Sequence, residues 1–196
     1  MRLTTPLRHT LVAAAATAAL LTAPGTATAA PRPAGISASA LHPVAALSAE
    51  RLATADLVAA AKWGTDSPID DPAREQQVLD TVAALAEQAG ADPDEVREVF
   101  RDQIEANKIV QRGLFRRWTA HPDQAPTSRP DLAVVRQTIN RINTDLVTAL
   151  AATAPERTTP VCRPELALAV LQVHHERHPD ALHTRALVRS LASVCR

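Results

Sequence analysis

Tyrosine is absent from the 196 residues, phenylalanine and tryptophan contribute two each, and there are only five glycines. Ala, Leu, Val, Arg and Glu dominate instead, a mix that favours closely packed helices over a sheet. The formal net charge is zero, so no broad electrostatic field points to nucleic acid or to an anionic membrane. Cysteine occurs twice, at Cys162 and Cys195, with no His-x-x-Cys or Cys-x-x-Cys setting, which argues against a zinc site. No apolar run reaches the roughly 20 residues that a bilayer-spanning helix needs.

What is present begins with a leader. Arg2 and Arg8 give a basic start, Leu11 to Leu21 (LVAAAATAALL) is uncharged and apolar, and Ala27-Thr28-Ala29 fits the A-x-A cleavage pattern. Pro24-Gly25 ends the run and no helix cap precedes it, which disfavours a buried N-terminal helix. The expectation is a signal peptide over 1–29, cleaved near Ala29, and a mature protein that is secreted (extracellular or periplasmic) and free of the membrane. Residues 30–40 read as a linker, Pro-rich at 30–36 (APRPAGI), and 41–196 as one helical domain. In an exported protein two cysteines usually pair, so a C-terminal Cys162–Cys195 disulfide is expected. Closing a loop of about 33 residues contributes about 3.7 kcal/mol in the chain-entropy model.

About six helices are expected, and their starts are explicit. One runs from Pro43 to about Trp63. Asp71-Pro72 offers a capping carboxylate followed by proline at the first helical position, and Gly90 ends that helix. Asp92-Pro93-Asp94-Glu95 opens a long third helix to about Trp118. His121 to Arg129 reads as a loop, and Ser128-Arg129-Pro130-Asp131 opens a fourth helix to about Ala154. Two shorter helices, Pro164 to about Glu176 and Pro179 to about Val194, are those the disulfide joins. No stretch alternates with period two, so the fold class is all-α.

Several polar residues stand where apolar ones would be simpler. Arg51 and Lys62 are eleven residues apart, about three turns plus 20°, so both project from one helix face about 16 Å apart. Ala55, Val58 and Ala59 lie near that face. A pair of solvated charges is the plain reading. Against it, lysine is rare beside arginine (two against nineteen), which favours a chemical reason for a compact point charge at Lys62. In Asp71-Pro72-Ala73-Arg74-Glu75 the aspartate reads as a cap and the rest as ordinary first-turn residues. Gln103, Asn107 and Gln111 draw an uncharged polar stripe that must face water, another polar helix or a ligand. Asn140 and Asn143 are candidate core amides, with Arg136 one turn before Asn140. His174, His175 and His178 invite a metal reading but fit a solvated helix end, and no metal site is expected. Trp63 and Trp118 read as packing residues.

Together, Arg51-x10-Lys62-x8-Asp71-x2-Arg74-Glu75 and Asn107-x3-Gln111 resemble the active-site frame of the all-helical, type II chorismate mutases. The words RLATADLVAAAKW, PIDDPAREQQVL and DQIEANKIVQ strengthen the likeness, and the leader, extra C-terminal helices and cysteine pair are similar to the exported (gamma) branch. The resemblance covers about 41–196. It implies an isomerase of aromatic amino acid biosynthesis that rearranges chorismate to prephenate without a cofactor, in a fold that is usually homodimeric with each site inside one chain. By the same resemblance Arg51, Arg74 and Arg136 hold the two substrate carboxylates, and Lys62 and Gln111 donate to the ether oxygen. Glu75 receives the ring hydroxyl, and Asp71 joins the site or steadies Arg74. Asn107 stands where the family usually carries Ser or Thr and still offers a donor. The competing readings are a secreted helical interaction domain that keeps the mutase fold but binds a protein, and a small-anion binding module without turnover.

Overall fold

The computed structural model describes residues 39–196; the leader over 1–29 and the linker up to residue 38 lie outside the described residues. Seven α-helices and one short 3-10 helix make up the described part, with no strand among the described residues. They are α1 (His42–Lys62), α2 (Pro72–Gln88), α3 (Pro93–Ala120), α4 (Leu132–Ala152), α5 (Ala154–Arg157), α6 (Cys162–Arg177) and α7 (Ala181–Ser190), with the 3-10 helix at Pro122–Gln124. Ser39 is buried, its hydroxyl donating to the Glu165 carbonyl at 2.9 Å, and Leu41 is fully enclosed.

Helix starts follow the caps in the sequence. Asp71 accepts from the Arg74 amide at 3.0 Å, Asp92 from Asp94 and Glu95, and Asp131 from Ala133. Each satisfies an amide that the first turn leaves without an intrahelical partner. Gly90, at φ +71°, closes α2, and the Ala91 amide returns to the Ala86 carbonyl at 2.9 Å. That bond satisfies a terminal carbonyl.

Four ends differ from expectation. α4 stops at Ala152 and α5, which the sequence reading did not anticipate, follows it. Pro155 explains the break, because its ring has no amide to donate and collides with the carbonyl four residues back. α6 starts at Cys162, two residues ahead of Pro164, which a first turn tolerates. α7 starts at Ala181 because Asp180 is its cap, accepting from the His183 amide at 2.9 Å, and it ends at Ser190.

The core is built mainly from small and branched side chains. α1 packs against α3, α4, α6 and α7, and α3 packs against α1, α2 and α7. Val44, Ala45, Ala55, Ala59, Val96, Phe100, Ala106, Val110 and Leu146 are fully enclosed there. Trp63 meets Phe115 and Trp118 edge-on, with centroids 5.0 and 5.3 Å away, so both tryptophans pack against other rings as expected. Gly113 marks a close approach: a Cβ there would come within 2.6 Å of Leu182, so α7 sits directly on α3. A disulfide joins Cys162, at the start of α6, to Cys195 beyond α7. α1 thus has α4 and α3 beside it, and α2 and α4 close the space beyond its C-terminal half.

Candidate active site

One cavity of about 110 Å³ opens where α1, α2, α3 and α4 meet. Its wall holds Arg51, Val58 and Lys62 from α1, Asp71, Arg74 and Glu75 from the start of α2, Asn107, Lys108 and Gln111 from α3, and Arg136 from α4. All eight site residues expected from the sequence line it. Ile69, Val78, Ile104, Leu132 and Ile139 complete an apolar lining, so charged and amide groups project into a space of low polarity. Electrostatic interactions are stronger there than in open water.

Arg51 is 5% exposed. Its Nε donates to Asn143 Oδ1 at 2.9 Å, Nη1 donates to the Gln103 carbonyl at 3.2 Å, and the guanidinium lies 5.6 Å over the Phe100 ring. Nη2 has no partner among the described residues. Burial lowers the Arg51 pKa to about 10, which still leaves it cationic at neutral pH. Lys62 Nζ donates to the Pro68 carbonyl at 2.7 Å. Burial also lowers its pKa, with Asp71 pulling the other way and Arg136 adding to the fall. Arg74 Nη1 donates to Gln77 Oε1 at 3.1 Å, and Arg136 is exposed on the rim. Asp71 both lines the cavity and caps α2 through the Arg74 amide.

Such a cavity, with five cations, two carboxylates and two amides, suits a small organic dianion. The sequence matches the family model for chorismate mutase type II over residues 44–112. A secreted chorismate mutase of Mycolicibacterium smegmatis is 42% identical over 159 residues, covering 81% of this chain and 88% of its own. A secreted chorismate mutase of Mycobacterium tuberculosis is 35% identical, covering 75% of this chain and 74% of its own. The chain belongs to the chorismate mutase family. Among solved structures, the chorismate mutase of Burkholderia phymatum superposes with a TM-score of 0.77 at 36% identity, over 83% of this chain and 99% of its own.

Within this chorismate mutase fold the polar stripe of α3 divides. Gln103 turns away from the cavity and donates to Ser48 Oγ at 2.7 Å and to the Ser190 carbonyl at 3.1 Å, as a buried tie between α1, α3 and α7. Asn107 and Gln111 face the cavity, and Gln111 Nε2 donates to Asn107 Oδ1 at 2.7 Å. Gln111 Oε1 is buried with no partner among the described residues. Turning both amides by 180° keeps their mutual bond and puts a donor at that vacant position. Asn143 is a core amide as expected, but Asn140 is exposed. At 100° per residue Asn140 lies roughly 130° from the middle of the stripe formed by Val135, Ile139, Ile142 and Leu146.

The sequence reading missed Lys108, which is buried on the cavity wall and paired with Glu75. Its one advance signal was that it is the chain's second lysine. His174, His175 and His178 are exposed at the end of α6, and no metal-binding cluster occurs among the described residues.

Proposed function

We propose that this protein rearranges chorismate to prephenate in the cavity between α1, α2, α3 and α4. The reaction breaks the ether carbon–oxygen bond and forms a carbon–carbon bond within one molecule, so it needs neither nucleophile nor proton relay. It needs a dianion held in a compact conformation with positive charge aimed at the ether oxygen. Convergence of Arg51, Lys62, Arg74 and Arg136 on one small cavity is the observation that carries this reading. Arg51, Arg74 and Arg136 hold the two carboxylates through charge-assisted bonds. Lys62 and Gln111 donate to the ether oxygen, Gln111 through the turned amide. Glu75 accepts from the ring hydroxyl, Asp71 steadies Arg74, and Asn107 sets the sense of the Gln111 amide while donating to a carboxylate.

The demand is modest in energetic terms. A rate enhancement of ~10⁶ requires ~8 kcal/mol, and one preorganised donor supplies roughly 3–4 kcal/mol. Two donors and conformational restriction therefore suffice. The test is an ultraviolet time course of chorismate with the purified protein; unchanged chorismate refutes the proposal.

Export belongs to the same reading. The two mycobacterial relatives are named as secreted, and the described residues contain no helix long and apolar enough to cross a membrane. We propose cleavage of the leader near Ala29, which the mass of the released protein tests, and a homodimer in solution, which sedimentation analysis tests.

A further inference from the structure

Lys108 sits on α3 beside Asn107 and is 10% exposed at its side chain. Its Nζ lies 3.2 Å from both carboxylate oxygens of Glu75 and 3.4 Å from Asp70, and it also pairs with Glu105 one turn earlier on α3. The three carboxylates do not depend on it equally. Asp70 is 58% exposed and also held by Arg112 at 2.6 Å, and Glu105 is 42% exposed. Glu75 is 28% exposed and lines the cavity; Lys108 is the only cation in salt-bridge contact with it among the described residues, with Lys62 acting on it from further away.

An uncompensated carboxylate in that wall would repel a dianion, and more strongly in an apolar lining than in water. A carboxylate oxygen can nonetheless accept more than one hydrogen bond, so a Glu75 already held by Lys108 keeps room for a hydroxyl. We propose that Lys108 is a positioning residue that neutralises Glu75 and fixes its carboxylate, so that Glu75 takes the ring hydroxyl of the substrate without opposing its two carboxylates. This rests on the chorismate mutase reading of the cavity. Lys108 touches neither the ether oxygen nor the bond that forms, so it acts on capture more than on the chemical step.

The experiment measures KM and kcat by the chorismate assay for wild type, Lys108→Met, Lys108→Arg, Glu75→Gln and the double variant Lys108→Met/Glu75→Gln. K108M should raise KM about tenfold or more, the worth of one charge-assisted hydrogen bond, with a much smaller fall in kcat. K108R should stay near wild type. The double variant, which removes the pair as a neutral unit, should have a KM close to that of Glu75→Gln alone, because removing Lys108 costs little once residue 75 is neutral. A purely structural role predicts instead a loss of kcat in K108M that K108M/E75Q does not relieve. An unchanged KM in K108M, or a KM in K108M/E75Q tenfold above that of E75Q, overturns the proposal. If K108M does not fold by circular dichroism, K108R decides: near-wild-type KM supports the proposal and a tenfold rise overturns it. Inactive wild-type protein is a separate outcome and refutes the reading of the cavity itself.

Discussion

Replacing His183 with asparagine should remove a pH-dependent part of the stability. The ring bridges two helices: Nε2 lies 3.0 Å from Asp56 on α1, and Nδ1 lies 2.7 Å from Asp180, the cap of α7. Each ring nitrogen faces a carboxylate, so both must donate, and only the imidazolium can do that. The hydrogen bond to Asp56, helped by the one to Asp180, outweighs burial and raises the His183 pKa to about 9. A folded value above the unfolded one stabilises fully below about 6.5, and that contribution is lost as pH rises through about 9. The gap corresponds to about 3 kcal/mol before screening. Asp56 and Asp180 are 50% and 46% exposed, which reduces the expected figure to about 1–2 kcal/mol. The same contact, through the His183 backbone amide first, holds Asp180 at about 2, so loss from that side is confined to strong acid. Urea unfolding at pH 6 and pH 9.5 measures the effect. The wild type should exceed His183→Asn by about 1–2 kcal/mol at pH 6, and the difference should shrink towards zero at pH 9.5. Other titrating groups cancel in that comparison. A difference independent of pH would refute the argument, because packing alone would then explain it.

Three further outcomes follow. Lys62→Ala should lower kcat by ~10²–10³, as loss of a preorganised donor does, while its circular dichroism stays native, since Lys62 is anchored by the Pro68 carbonyl at a half-exposed helix end. Arg136→Ala, on the exposed rim and outside the core, should raise KM about tenfold and leave the unfolding midpoint unchanged. Replacing Cys162 and Cys195 together with serine should cost about 3–4 kcal/mol in denaturant unfolding, with KM unaltered, because the disulfide lies away from the cavity lining.

The all-α architecture and the site frame were legible in the sequence for different reasons. Helix starts could be read because Asp71, Asp92 and Asp131 act within their own turns, where spacing alone decides the partner. The pair Arg51 and Lys62 could be read because eleven residues bring a helix back to nearly the same face. The α3 stripe was legible only in part. A step of four residues advances 400°, so each polar position drifts about 40° around the axis. Over eight residues the drift carries Gln103 onto Ser48 and Ser190 while Gln111 reaches the cavity. Lys108 was not legible, because a lone lysine on a helix reads as solvated and its partners Asp70 and Glu75 lie more than thirty positions earlier. Arg157 escaped for the same reason: it is 1% exposed, near Glu95 at 3.8 Å, in a turn created by Pro155.

These contacts also explain why one helix can present two cations at a fixed separation to a flexible dianion. Each cation on α1 is held at its own end: Arg51 by Asn143, the Gln103 carbonyl and Phe100, and Lys62 by the Pro68 carbonyl. Asp56 lies between them in sequence and roughly 130° around the helix from the face they share, where His183 ties it to α7. α1 is thus fixed from the cavity side and from behind, and rotation about its axis would break bonds on both faces. A rotation of even 20° would move a long side chain's tip by an ångström or more, and misplacements of that size cost catalysis heavily. The preorganisation that the rearrangement demands therefore resides in the supports of α1 as much as in the cations it carries.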